Sequence, residues 1–184
     1  MKQLILLSFL LLTLSTACTG SYLSSDDPET RAENEQFVVN LMRDFREGKL
    51  ASLGCPDVQW RHIPALLEFG KSKAIAGDGT WTMPANPLSS YAMTQCSEGI
   101  FALWMVEAAR LHTLNPNSQG IGGWPSMNPF VQRLSVDDAP LWYINNPEVQ
   151  QEVLDAYVKW WKAADGNTAA AKTDPLEGTG YMWH

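Results

Sequence analysis

The sequence predicts a small, single all-α domain with long Gly/Pro-rich connections and little or no sheet. Three features predict it. The triplets Asp27-Pro28-Glu29 and Asn146-Pro147-Glu148 each place a capping residue, a proline and an acid at the start of a stretch with helical apolar spacing. The run Gly99–Ala109 holds one charge in eleven residues, as a helix buried on several sides does. Almost nowhere do β-branched residues alternate with polar ones over the length of a strand. With 184 residues and 45% hydrophobic content the chain can bury one core.

The N-terminus reads as an address. Met1-Lys2 precedes the apolar run Leu4–Leu14, whose eleven residues at about 1.5 Å each reach only about half of a bilayer core. That length predicts a signal peptide over residues 1–17, with Ser15 and Ala17 as the small residues before the cut. Residues 18–30, rich in Ser, Thr, Gly and Asp, have the composition of a flexible tether, and the folded domain is expected over 31–184.

In the first helix Phe37, Leu41 and Phe45 recur on one face, widened by Val38 and Met42, and Gly48 is the stop. A second, shorter helix spans Arg61 to Gly70, with Ile63, Leu66, Leu67 and Phe69 apolar and Pro64 harmless in the first turn. Gly77, Gly79, Pro84 and Pro87 break residues 71–88. Ser89 or Ser90 is expected to cap a third helix that runs to about Thr113 and forms the spine of the fold. Between Asn115 and Asn145 the glycines and prolines allow only short helical turns around Phe130 to Leu134. The fourth helix carries Val149, Val153, Tyr157, Trp160 and Ala164 on one stripe and stops near Gly166. Leu176, Tyr181, Met182 and Trp183 make the tail too apolar to hang free, so it is expected to dock.

Two resemblances add to this reading. Ser15-Thr16-Ala17-Cys18 resembles the lipobox of bacterial lipoproteins, departing from it at Ser15, where leucine is usual. It implies that Cys18 is acylated and becomes the first residue; ordinary secretion with Cys18 as a bystander thiol is the other reading. Thr19, in place of an aspartate, implies an outer-membrane destination in either leaflet. Ile63–Phe69 and Cys96–Arg110, joined by a Pro-rich connection, are similar to the paired helices of a HEAT-type repeat. The pair occurs once, with no fixed period, which argues against a solenoid. The same residues, over about 57–113 with support from 175–181, resemble a group of small uncharacterised lipoproteins and secreted proteins of Bacteroidetes-like bacteria. That likeness implies a helical fold and no established activity.

Candidate chemistry is sparse. With Cys18 acylated, Cys55 and Cys96 remain. They either form a disulfide closing a loop of about 40 residues, worth about 4 kcal/mol, or stay as two buried thiols. His62, His112 and His184 share no metal-ligand spacing, and His112 near the end of the third helix suits the helix dipole. No Gly-x-Ser-x-Gly elbow is present, and Gly120-Ile-Gly-Gly-Trp-Pro lacks the lysine of a phosphate cradle. Glu107 and Arg110 share a helix face and can pair, either as a structural ion pair extending to Arg61 or as a catalytic acid with its cation. Glu98 suits the helix start. Of the eight tryptophans, Trp104, Trp160 and Trp161 fall on helical stripes. Trp81, Trp124 and Trp142, with Tyr143, fall in the connections. There they either present flat apolar faces to a partner or roof the core.

The net charge of −7, or −8 once Lys2 leaves with the leader, argues against a nucleic-acid partner. The expectation is an exported, lipid-anchored envelope domain without metal or cofactor. It would act as a binding or scaffold module for a protein or glycan through Trp81, Trp124, Trp142 and Tyr143. The alternatives are an envelope enzyme using Glu107 with Arg110 or Arg61, and a structural subunit of an envelope complex.

Overall fold

A computed structural model describes residues 27–50, 54–76, 95–116, 123–133 and 141–184. It is mostly helical. Helix α1 (Pro28–Arg46) starts where Asp27 accepts hydrogen bonds from the backbone N–H groups of Glu29 and Thr30. It ends at Glu47, and Gly48 takes the left-handed turn that a glycine tolerates best (φ 64°). A 3-10 turn at Trp60–His62 leads into the short α2 (Ile63–Phe69).

Helix α3 (Glu98–Leu114) is buried on every side from Glu98 to Arg110, as its lack of charge requires. Its start differs from the expectation. Gln95 is not helical, and Cys96–Ser97 form a short strand β2 paired antiparallel with β1 (Ile75–Ala76). The cap is Ser97, whose Oγ accepts from the Ile100 N–H at 3.0 Å; Ser89 and Ser90 lie outside the described residues. Sheet pairing thus claims residues that helical pattern alone would continue through.

Helix α4 (Pro147–Ala164) begins at its Asn146 cap, which accepts from the Val149 N–H, and stops at left-handed Asp165 and Gly166. Its stripe of Val149, Val153, Tyr157, Trp160 and Ala164 is buried throughout. A second 3-10 turn, Thr168–Lys172, follows.

The expected helical turn near Phe130 is instead a strand. β3 (Val131–Arg133) is the centre of a three-stranded antiparallel sheet in the order β4-β3-β5, flanked by β4 (Leu141–Tyr143) and β5 (Tyr181–Trp183). The C-terminal tail does dock, as the edge strand β5, with Leu176 buried behind it. Three-residue strands carry too little pattern to be seen before their partners are known.

The core lies between the helices. Phe45 of α1 stacks on Phe101 of α3 with ring centroids 3.9 Å apart. Ile63, Leu66 and Leu67 of α2, Leu103 and Met105 of α3, and Val153 and Leu154 of α4 complete it. Each such side chain contributes about 1.5–3 kcal/mol by leaving water. Helix α2 packs along α3, the pair expected from residues 63–110. No helix of the described residues is long and apolar enough to cross a membrane.

Candidate functional site

Two buried carboxylates on α3 anchor separate polar networks. The Arg110 guanidinium grips Glu107 with two hydrogen bonds, Nε to Oε2 at 2.9 Å and Nη2 to Oε1 at 2.6 Å. The remaining valences are closed by the rest of the fold. The Tyr157 hydroxyl of α4 donates to Glu107 Oε2 at 2.8 Å, and the Trp183 indole N–H of β5 donates to the Tyr157 oxygen at 2.8 Å. Arg110 Nη1 donates to the Ala171 carbonyl at 2.7 Å. Burial, and then the Glu107 charge, push the Tyr157 hydroxyl well above its ordinary range. Burial is the largest influence on Arg110 and works against its charge, but the bond to Glu107 together with the Glu107 charge and those of Tyr157 and Asp174 outweighs it, and the guanidinium holds its proton more firmly. Both Glu107 and Arg110 are sealed, so the carboxylate has no open face toward solvent. Arg61, expected to join the pair, is exposed on the first 3-10 turn, and the partners of Glu107 are Arg110 and Tyr157 instead. The geometry commits Glu107 and Arg110 to tying α3, α4 and the tail together.

Glu98 does more than suit a dipole. It is buried, accepts from the Ser72 hydroxyl at 2.9 Å and pairs with Arg46 of α1 at 3.2 Å. Beside it, Gln150 of α4 donates to the carbonyls of Gly70 and Ser72 at 2.8 and 2.9 Å and accepts from Ser97 Oγ at 2.8 Å. Gly99 makes room for this junction: a Cβ there would lie 2.0 Å from Gln150 Nε2 and 2.6 Å from two carbonyl oxygens. The sequence offered one signal, a glycine inside the first turn of an otherwise good helix.

The loop aromatics divide. Trp124 is 6% exposed and lies flat on Trp104, with centroids 4.9 Å and planes 13° apart, so it roofs the core and offers no face to a ligand. A flat stack removes most of an indole's area from water, which outweighs its position in a connection. Trp104 donates its own N–H to Ser126 Oγ at 2.8 Å. Tyr143 is half-buried, edge-on to Tyr181, in the register row of Val131 and Trp183 that meets the core. Trp142 is paired in register with Gln132 of the central strand, which pairs on its other side with Met182. Met182 is 43% exposed and Leu141 at the edge of β4 is 53% exposed. Trp81 and Cys18 lie outside the described residues.

Cys55 and Cys96 are both free thiols rather than a disulfide. Burial pushes the Cys55 thiol up to about 12 and raises Cys96 further, so both are inert as nucleophiles at neutral pH. His62 is buried and stacked on Phe37 at 4.2 Å; its Nδ1 accepts from the Gln59 N–H, and burial lowers it to about 4. Among the described residues no group of three His, Cys, Asp or Glu side chains is placed to hold a metal ion.

No curated protein and no solved structure matches the chain. Residues 29–184 match a family model described as a domain of unknown function, DUF4943, which spans the whole described fold from the first turn of α1 to the end of the tail. The chain therefore belongs to the DUF4943 family.

Proposed function

We propose that this protein is a lipid-anchored domain of a bacterial cell envelope that works by binding a protein or glycan partner. The observation that carries the reading is the order of segments at the N-terminus. An apolar run too short to span, Leu4–Leu14, meets small residues and Cys18, and a polar stretch then leads to the helix cap at Asp27. Acyl chains on Cys18 would contribute about 0.8 kcal/mol per buried methylene, enough in combination to hold the domain on a membrane. The binding role is supported by the outward row of the small sheet, where Met182 is exposed beside the register positions of Gln132 and Trp142. The best candidate acid, Glu107, is by contrast occupied in holding the fold.

Metabolic labelling with an alkyne fatty acid tests the anchor. The wild-type chain takes up label and partitions into detergent, and Cys18→Ala does neither; an unmodified amino terminus in buffer-soluble native protein overturns it. Pull-down and glycan-array binding test the surface. Trp142→Ala with Met182→Ala abolishes capture, whereas Val39→Ala, on exposed α1, leaves it intact. Capture that survives the double substitution removes the sheet from the reading.

A further inference from the structure

The ring of His112, near the end of α3, is held between two backbone carbonyls. Its Nδ1 lies 3.2 Å from the Val58 oxygen and its Nε2 lies 2.8 Å from the Gly123 oxygen. A carbonyl oxygen only accepts, so each contact is a hydrogen bond only if that nitrogen carries a proton. Neutral imidazole has one N–H and can serve one carbonyl, leaving a lone pair facing the other oxygen. Imidazolium serves both. We propose that His112 is a proton-operated clasp that ties the end of α3 to the 54–58 segment and to the Gly123–Trp124 turn, closing fully only when the ring is doubly protonated.

The three parts are packed tightly enough for the clasp to matter. A Cβ built on Gly123 would lie 3.4 Å from His112 Nε2 and 3.6 Å from the Cys55 Cβ, so turn, ring and segment meet at one point. The turn positions Trp124 on Trp104, and Ser126, which accepts the Trp104 N–H, donates to the Asn128 carbonyl. Asn128 in turn bonds through its backbone and side chain to His184 of the tail. His112 thus sits at one end of a connected run of contacts that roofs the core and reaches the C-terminus. Few other charges compete there. The segment and its following turn carry Cys55, exposed Asp57, exposed Arg61 and buried His62; on α3, Glu107 and Arg110 are spent on each other; the 123–130 run has no ionisable side chain.

Stabilisation from the second bond is present where the ring holds both protons and is lost where it holds one. Urea unfolding of wild type and His112→Gln at about pH 8 and about pH 5 reads it. The gap between the two midpoints widens several-fold at the acid pH; taking the difference cancels His62 and His184, which both chains share. A gap that is the same at both pH values, or narrower in acid, overturns the clasp. Nitrogen-15 NMR of the native ring gives a second reading that needs no variant. In acid both ring N–H protons are slow to exchange with solvent, and a single protected N–H overturns the proposal.

Discussion

Glu98 opens α3 and Glu107 lies at its middle, and their side chains are equally hidden, each 8% exposed. Their cations differ. Arg110 is as buried as its partner, whereas Arg46 is 49% exposed. At Glu107 the ion pair is cut off from water, and its charges are matched by a fork of two bonds, a tyrosine hydroxyl and a carbonyl. At Glu98 half of the pair stays in solvent and a serine hydroxyl supplies the second contact. Burial of a carboxylate alone therefore says little; what sets its energetic role is whether its counter-ion is also removed from water.

The largest expected effect comes from leaving Glu107 without its cation. Arg110→Met should cost about 3–5 kcal/mol in urea unfolding, because the remaining charge is buried and unpaired. A loss under about 1 kcal/mol would mean that the network is not sealed. His62 extends the comparison to a buried ionisable group held without an ion pair. Its folded value of about 4 lies below the ordinary 6.5, so the folded chain resists the proton that the unfolded chain accepts. Stability therefore falls as pH drops from about 6.5 to about 4, by roughly 3 kcal/mol in total, and His62→Phe, which retains a ring against Phe37, flattens that arm. This loss runs opposite in sign to the gain ascribed to His112.

Gly99→Ala sharpens the Glu98 side. The added methyl meets Gln150 and two carbonyls of the 70–72 turn, and a loss of about 1–3 kcal/mol is expected by thermal unfolding. Arg46→Ala should do least, about 1 kcal/mol or less, and its effect should shrink further in high salt, while that of Arg110→Met should not. Equal salt dependence at the two sites would erase the distinction between them.

Much of the fold was legible in the sequence because helices announce themselves locally. The caps Asp27 and Asn146, the stripes of α1 and α4 and the uncharged middle of α3 all lie within one or two turns of the residues that decide them. The pairing of Glu107 with Arg110 was legible for the same reason, since residues three apart share a helix face. The misplaced cap at Ser89 or Ser90 and the strand at Val131–Arg133 were not, because β2 and β3 owe their conformation to residues far along the chain. That Trp124 roofs the core and does not face a partner is not legible from its Gly/Pro-rich connection, because nothing local says that Trp104 lies beneath it.

The sequence by itself determined the helices, the caps of α1 and α4, the acidic balance and the leader-like N-terminus, all of which depend on neighbours along the chain. Only the tertiary structure decided that Tyr157 and Trp183 close over Glu107, that Gln150 needs Gly99, and that His112 faces two carbonyls. Those contacts join residues from 11 to 54 positions apart, and hydrogen bonds are short and directional, so no periodicity in the chain encodes them.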